Sequence, residues 1–476
     1  MVKRIVLLLD GTWNNIDVGA YDTNIVRMRE LISKHLVRTS HTGAHHDDGN
    51  KKVQGYTASG KEHIIYYERG VGTGAFDRFR GGAFGEGLSR NIRHAYKFLS
   101  FWYEPADEVF IYGFSRGAYT ARSLVGYLGA AGLLRRDSCN EEMEALAWRY
   151  YRSATNDRMP AVWSRLTDYV HDRDKFRIKL LGVFDTVGAL GIPAGGIARQ
   201  FNRDEYGFHD VELSSITDVN LHAVAIDEHR WPFEAALWRQ PPFKKYDTKV
   251  EQVWFSGAHS DVGGGYIVEE TRDPGIAYAD DITLDWMIRR TKHFYSDFPL
   301  DTDRSAEEIA RQETAALHNS RRNVYRVWPF ALRSIANCKT GASFWRYQAE
   351  VSRDRHARPI NEMIHISALK RLLADDSIGL PREPYKAANL VKVIDWINDA
   401  YEPDTGRPAV RGGTNGAMKL SVVDWDGSKI ENRSARAEEL RALLTRYVEE
   451  PRPGPGLNGL FHAFEWWRPA RPSARL

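Results

Sequence analysis

The segment from Val109 to Leu128 constrains the fold of this chain more than any other. Val109–Tyr112 is an apolar run of the kind that forms a buried strand, and the small residues after Gly117 have helical spacing. Between them, Gly113–Gly117 reads Gly-Phe-Ser-Arg-Gly. A strand that turns sharply through glycines into a helix exposes the central serine at the edge of a parallel sheet. The segment therefore predicts an α/β fold with a reactive serine at Ser115.

Strand and helix patterns alternate over the first 295 residues. The predicted strands are Ile5–Leu9, Tyr66–Glu68, Val109–Tyr112, Phe176–Phe184 and Val250–Phe255. The predicted helices are Ile25–His35, Leu88–Tyr103, Gly117–Leu128, Glu141–Ala154, Leu221–Leu237 and Ile282–Lys292. This alternation predicts a doubly wound, mostly parallel sheet with helical insertions. Residues 38–62 are polar and predict an exposed insertion, and the glycines from Gly70 to Gly87 predict a loop.

The alternation fades after residue 295, which divides the chain into three predicted parts. We expect a catalytic domain over residues 1–295 and a mainly helical cap or appended region over 296–450. A tail that contains proline, arginine and tryptophan then covers residues 451–476.

Composition narrows the functional classes. A net charge of +3 over 476 residues does not favour a nucleic-acid partner. Two cysteines exclude a disulfide framework and indicate a reducing compartment. The apolar run at the N-terminus is too short for a signal peptide, and no stretch predicts a transmembrane helix. We therefore expect a cytoplasmic location in the producing cell.

A serine hydroxyl becomes a nucleophile only when a base accepts its proton and an acid orients that base. When such a serine stands on a strand-to-helix turn, the acid and then the histidine follow from the ends of later strands. Asp185 ends the apolar strand Phe176–Phe184, and His259 follows the strand Val250–Phe255. Ser115, Asp185 and His259 are therefore the predicted nucleophile, acid and base.

The turn also predicts how the reaction's negative charge is stabilised. Gly113 and Gly117 give the turn room, and the backbone N–H of Arg116 is a predicted oxyanion donor. A second donor is expected from the loop Gly11–Thr12 after the first strand. Asp10 and Asp261 are expected to support the site, with metal binding as the alternative for both. The chemistry itself requires no metal and no cofactor.

Other histidines compete for these roles. His365 is an alternative base, although we place it outside the core. His222 and His229 flank the predicted helix that contains Asp227, and a structural role is expected for them. The polar segment with His41, His45, His46, Asp47 and Asp48 resembles a metal cluster, but a solvated loop is the stronger interpretation.

Taken together, the ordered motifs resemble the DUF2235 family, whose members include the catalytic domains of Tle1-like type VI secretion lipase effectors. The matching blocks are Leu8–Asn14, Gly70–Gly74, Gly113–Tyr119, Phe184–Gly188, Ala225–Arg230, Gly257–Tyr266 and Leu284–Ile288, with a weaker echo at Ile364–Leu369. The set in this order is specific, whereas no single block is.

The resemblance implies an α/β-hydrolase fold and a Ser115–Asp185–His259 triad that hydrolyses ester bonds, with phospholipids of bacterial membranes as the implied substrates. It also implies export by a type VI system, a secretion-apparatus or immunity protein as partner, and peripheral membrane contact. Two alternatives stay open: an esterase or thioesterase on a soluble substrate, and a non-catalytic protein that binds a partner through the same fold.

Aromatic and basic residues cluster in segments that the triad does not use. Phe76, Phe79 and Phe84 stand in the glycine-rich loop with Arg78 and Arg80, and Trp328, Phe330 and Trp345 stand among Arg321, Arg322, Arg326 and Arg333. Such mixtures suit a lipid surface and a buried cap over an active site equally well. The Trp466–Trp467 pair in the tail can dock on its own domain or on a partner.

Overall fold

A computed structural model describes most of the chain. The described residues are 2–11, 22–38, 51–70, 81–153, 160–187, 213–230, 233–239, 247–265, 278–301, 304–320, 331–337, 359–373, 385, 387–391, 393–401 and 420–449. The sequence predictions for residues 41–48, 71–80, 188–212, 321–330, 338–358 and the tail from 451 lie outside them.

These residues form a ten-stranded sheet. Its strands are β1 Arg4–Leu9, β2 Val37–Arg38, β3 Lys51–Tyr56, β4 Glu62–Glu68, β5 Glu108–Phe114, β6 Ile178–Phe184, β7 Thr217–Ala225, β8 Lys249–Phe255, β9 Glu362–His365 and β10 Ser421–Val423. Their spatial order is β10-β9-β8-β7-β6-β5-β1-β4-β3-β2. Neighbouring strands are parallel except where β3 pairs with β2 and β4.

Helices cover both faces of this sheet. They include Asn24–Lys34, Gly81–Trp102, Arg116–Ala131, Glu141–Arg152, Pro160–Leu166, His259–Gly263, Ala279–Phe294, Ala306–Ala310, Ile366–Leu373, Ala388–Val391, Ile394–Tyr401 and Ala435–Glu449. Alternate residues of β1 enter different cores: Val6 and Leu8 pack in one, and Ile5 and Leu7 in the other. A strand that is buried on both faces reads as a continuous apolar run, as the sequence of β1 does.

The order of the strands locates the expected active edge. The chain places β4 on one side of β1 and β5 on the other, so the winding reverses direction between β1 and β5. In open α/β sheets, ligands bind outside the carboxyl ends of the strands at such a reversal. The turn after β5, which carries Ser115, lies at that point.

The α/β class and the mostly parallel sheet that we predicted from the alternation are confirmed. One element was wrong: Leu221–Leu237 is not a helix, because Thr217–Ala225 is a central strand. The polar residues inside this strand concealed it, since Asn220 and His222 are buried there and hydrogen-bonded. His222 consequently does not flank a helix.

Two further corrections concern segments that we expected to be loops. The polar insertion 38–62 contains β3, which pairs along its whole length with β4. Gly81, Gly82, Gly85 and Gly87 belong to the helix Gly81–Trp102 instead of extending the preceding loop. Each glycine costs a helix only about 1 kcal/mol. Burial of the apolar stripe farther along the same helix outweighs this cost.

The described residues after position 295 form helices such as Ile394–Tyr401 and Ala435–Glu449, and they also complete the sheet. β9 pairs with β8, and β10 pairs with β9. His365 therefore ends a sheet strand and does not lie outside the core. Among the described helices, none is long and apolar enough to cross a membrane.

Candidate active site

Ser115 occupies the turn between β5 and the helix Arg116–Ala131. Its backbone has φ 58° and ψ −120°, a strained combination that persists only where the surroundings enforce it. The start of the helix approaches β1 closely, since a Cβ on Gly117 would lie 2.1 Å from the Leu9 carbonyl oxygen. A Cβ on Gly113 would lie 2.7 Å from the backbone of the same helix. Both glycines of the motif are therefore required by backbone contact.

Three side chains form a hydrogen-bonded chain at this edge of the sheet. Ser115 Oγ lies 2.7 Å from His259 Nε2, and His259 Nδ1 lies 2.6 Å from Asp185 Oδ2. Asp185 directly follows β6, and His259 opens the short helix after β8. All three side chains are buried. The structure thus brings together the three residues that the sequence singles out.

Burial and neighbouring charges set the protonation of the acid and the base. Burial alone would raise the pKa of Asp185, but Arg333 and His259 outweigh it and hold that pKa well below its usual range. Burial lowers the pKa of His259 by more than Asp185 raises it. At neutral pH, Asp185 is therefore ionised and His259 neutral. The Nδ1–H of the imidazole then donates to Asp185, and Nε2 accepts the hydroxyl proton of Ser115.

Arg333 is a site residue that the sequence analysis missed. Its guanidinium donates from Nη1 to Asp185 Oδ1 at 2.5 Å and from Nη2 to Asp185 Oδ2 at 2.9 Å. It also donates to the carbonyl oxygens of Ala225 and Phe233, and only 4% of the residue is exposed. In the sequence, Arg333 stands in an aromatic and basic segment. It is 148 positions from Asp185, so no local pattern links the two residues.

Two rings pack against the imidazole of His259. The Phe114 ring lies 4.7 Å from it and the Phe233 ring 5.2 Å, measured between centroids. Arg230 stacks on Phe233 and pairs with the buried Glu228 at 2.7 Å. Glu228 also accepts a hydrogen bond from the His259 backbone N–H at 3.3 Å. These contacts fix the plane of the imidazole and surround it with a balanced pair of charges.

Asp261 braces the loop that carries the histidine. Its carboxylate accepts the Ala258 backbone N–H at 2.8 Å and both the backbone N–H and Nδ1 of His318, at 3.0 and 2.6 Å. His318 belongs to the region after residue 295 and stands in no motif that predicts this role. Because Ala258 immediately precedes His259, these bonds fix the start of the short helix that His259 opens.

Asp227 fastens the other side of the same loop. It accepts the Gly257 backbone N–H at 2.6 Å and the Tyr385 hydroxyl at 2.8 Å, and burial raises its pKa to about 6. Gly257 has a φ of 114°, which residues with a side chain rarely adopt. The loop therefore depends on partners from both the first 295 residues and the region that follows.

Asp10 lies at the end of β1 and is saturated with donors. It accepts the Gly11 N–H at 2.7 Å, the Thr23 hydroxyl at 2.9 Å and the Tyr67 hydroxyl at 2.8 Å. Burial raises its pKa to about 6, and only 1% of the residue is exposed. Thr23 in turn caps the helix Asn24–Lys34. Asp10 therefore ties three segments together beside the serine turn.

The predicted oxyanion donors have different surroundings. Arg116 opens the helix after Ser115, where backbone N–H groups point toward the serine edge. The Gly11 N–H is directed at Asp10, so it does not face the serine oxygen in this structure. Thr12 lies outside the described residues.

The alternative histidines have structural partners. His365 Nδ1 lies 2.8 Å from Ser367 Oγ, and its ring stacks on Phe255 at 4.7 Å. His222 Nε2 accepts the Thr186 backbone N–H at 3.1 Å. Burial lowers the pKa of both rings to about 3. Among the described residues, no group of three or more His, Cys, Asp or Glu is arranged to hold a metal ion.

Relatives of this chain include an uncharacterized protein of Saccharomyces cerevisiae, YEL023C, which is 27% identical over 263 residues. That match covers 51% of this chain and 33% of the yeast protein. Two solved structures are also similar. An uncharacterized protein from Pseudomonas aeruginosa has a TM-score of 0.38 and 19% identity, covering 63% of this chain and 47% of that one. The Tle1 effector bound to the VgrG spike of the type VI secretion system has a TM-score of 0.29 and 18% identity, with coverages of 56% and 52%.

The chain thus spans about a third of the yeast relative and about half of each solved chain. A family model gives a longer match. The model of the catalytic domain of Tle1-like phospholipase effectors of the type VI secretion system matches residues 3–290. That range holds the serine turn, the acid and the histidine of the hydrogen-bonded chain described above. The chain therefore belongs to the family of Tle1-like type VI secretion phospholipase effectors.

Proposed function

We propose that this chain is a serine esterase that hydrolyses carboxylic esters of phospholipids through Ser115, His259 and Asp185. One observation carries the proposal: the hydroxyl, imidazole and carboxylate are hydrogen-bonded in series at 2.7 and 2.6 Å. They stand at the carboxyl ends of parallel strands, where such sheets hold their ligands. The strained backbone at Ser115 adds support, since strain of this kind concentrates at active sites.

In the first half of the reaction, Ser115 Oγ attacks the acyl carbonyl carbon while His259 Nε2 takes the hydroxyl proton. The imidazolium that forms is stabilised by the ionised Asp185, 2.6 Å from Nδ1. Negative charge develops on the carbonyl oxygen. The Arg116 N–H and the positive end of the helix Arg116–Ala131 are its proposed stabilisers.

In the second half, the intermediate collapses and His259 returns its proton to the departing alcohol. The acyl group is then held as an ester on Ser115. A water molecule attacks this ester while His259 again acts as the base. The acyl group leaves as a carboxylic acid, and the Ser115 hydroxyl regains its proton. This cycle needs no metal and no cofactor.

Membership of a family of phospholipase effectors supports a phospholipid as the substrate. The test is turnover of vesicles of defined phospholipid, with products identified by mass spectrometry for the wild type and Ser115→Ala. We expect a free fatty acid and a lysophospholipid from the wild type only. Turnover restricted to short-chain esters would show a soluble ester or thioester as the substrate. A wild type that a fluorophosphonate probe does not label would indicate a non-catalytic binding protein.

The setting of this activity is also a proposal. The family description supports export by a type VI secretion system and a secretion-apparatus protein as partner. An immunity protein in the producing cell and peripheral contact with the target membrane would then be expected. Co-purification of the tagged chain with secretion-apparatus proteins of the producing cell would test the secretion-apparatus partner. Absence of the chain from secreted material would contradict export.

A further inference from the structure

We propose that Arg333 is a positioning residue that holds the carboxylate of Asp185 in its orientation toward His259. This inference rests on the proposed function, because it concerns the same hydrogen-bonded chain. The inference also goes beyond the proposed function. Arg333 lies after residue 290, where the match to the family model ends. The catalytic site is then completed by a region of the chain that the family model does not cover.

The hydrogen bonds of the Asp185 carboxylate support a positioning role for Arg333. Asp185 Oδ1 accepts Arg333 Nη1 and the Ala225 backbone N–H, at 2.5 and 2.9 Å. Asp185 Oδ2 accepts Arg333 Nη2 and His259 Nδ1, at 2.9 and 2.6 Å. Each oxygen thus has two donors, and one planar guanidinium bridges both. Such a two-pronged pair fixes the rotation of a carboxylate, which a single point charge does not.

The guanidinium is itself held in place. It donates to the carbonyl oxygens of Ala225 and Phe233, and its side chain is 3% exposed. Asn389 donates to the Arg333 carbonyl oxygen at 3.2 Å and to that of Ile226. Because these partners belong to the end of β7, the segment that follows it and the C-terminal region, Arg333 cannot move without disturbing all three. This rigidity is what a positioning residue requires.

The charges around His259 also support a role for Arg333. Arg333 neutralises Asp185, and Arg230 pairs with Glu228. Among the described residues, the other ionisable groups near this cluster include the His222 ring on β7, Arg122 on the helix Arg116–Ala131, and Glu234. Removal of the Arg333 charge would leave Asp185 unbalanced beside the imidazole. The protonated form of His259 would then be favoured, and the base would become active only at higher pH.

The decisive experiment compares Arg333→Gln, Arg333→Lys and a matched control, Arg290→Gln. Arg290 is also buried and also makes a two-pronged pair, with Glu251. Glu251 lies near the start of β8, whereas His259 follows its end. The control therefore removes a comparable ion pair away from the site. The measurement is kcat and KM for a short-chain p-nitrophenyl ester from pH 5 to 9, with circular dichroism to confirm folding.

We expect Arg333→Gln to lower kcat by about 10- to 100-fold with KM retained, because a misoriented acid misplaces the base. The acid limb of its kcat/KM profile should move upward by about one pH unit. Arg333→Lys should leave the acid limb of the kcat/KM profile in place and recover only part of kcat. Lysine restores the positive charge, but it does not provide the two-pronged guanidinium pair. Arg290→Gln should leave both kcat and the limb unchanged.

The outcomes separate this inference from the proposed function. A wild type that neither turns over the ester nor reacts with a fluorophosphonate probe would overturn both. An active wild type with an unshifted acid limb and unchanged kcat in Arg333→Gln would overturn only the role of Arg333. If Arg333→Gln does not fold, Arg333→Lys decides, because full kcat in that variant would exclude a positioning role for the fork.

Discussion

Gly117 and Leu9 are in backbone contact: a Cβ added to Gly117 would lie 2.1 Å from the Leu9 carbonyl oxygen. This contact packs the helix Arg116–Ala131 against the end of β1. It thereby connects the serine turn with the loop that begins at Asp10. No rotamer change can relieve an overlap between a Cβ and a backbone atom, so the helix or the strand would have to move.

Gly117→Ala should therefore damage both stability and activity. We expect a loss of about 1–3 kcal/mol in the free energy of unfolding, the usual cost of overpacking, and a large loss of kcat as Ser115 is displaced. Urea denaturation and ester turnover measure the two effects. Gly126→Ala in the same helix is the control, because the atoms nearest to its Cβ would belong to the Tyr151 side chain, at an ordinary 3.5 Å. Equal behaviour of the two variants would contradict this reading of the turn.

The identity of the base gives a second prediction. His259→Ala should reduce kcat by about 10⁶-fold, since His259 is the base that is hydrogen-bonded to the Ser115 hydroxyl. His365→Ala should retain most of the activity, because His365 bonds only to Ser367 in the described contacts and stacks on Phe255. Ester turnover of folded variants distinguishes the two. If His365→Ala lowered kcat more than His259→Ala, the assignment of His259 as the base would be wrong.

How much of this site could be predicted depends on where the information lies along the chain. Ser115, Asp185 and His259 each follow an apolar strand, so local patterns and their order were sufficient to select them. Arg333 and His318 have no such signal. They reach Asp185 and Asp261 only because the chain folds back across the sheet, over separations of 148 and 57 positions. Tertiary ion pairs of this kind leave no mark on periodicity.

Some strands of the fold could be predicted from local patterns, and others could not. The strands β1, β5, β6 and β8 were predicted correctly, because β1 and β5 are apolar after their first residue and β6 and β8 each end in an apolar run. β7 was mistaken for a helix because Asn220 and His222 interrupt its apolar character. Those polar side chains are tolerated in the core because Thr217, Thr248 and Thr186 provide partners. A sequence pattern shows the polar residue but not the partner that makes its burial acceptable.

The brace on the histidine loop gives a third prediction. His318→Ala removes the side-chain donor to Asp261, which fixes the backbone at Ala258. We expect a loss of about tenfold in kcat with little change in KM, because a small displacement of the base costs rate more than binding. His171→Ala is the control, since that ring packs against Tyr103 before β6 begins. Equal kcat values for the two variants would show that the His318 side chain does not position His259.

Asp10 gives a prediction about stability and pH. Burial raises its pKa from 3.8 to about 6 in the folded chain. Since the folded state holds this proton more tightly than the unfolded state, its contribution to stability is complete below pH about 4. It is lost as the pH rises through about 6. The full loss corresponds to about 3 kcal/mol at pH 7.

Asp10→Asn isolates this effect, because the amide does not titrate and the other acids with raised pKa values are present in both proteins. The free energy of unfolding of the variant, relative to the wild type, should therefore increase by about 3 kcal/mol between pH 4 and pH 7. Urea denaturation at pH 4, 5, 6 and 7 gives this difference directly. A difference that stays constant with pH would mean that the pKa of Asp10 is the same in the folded and the unfolded chain. The Gly11, Thr23 and Tyr67 donors would then compensate fully for its burial.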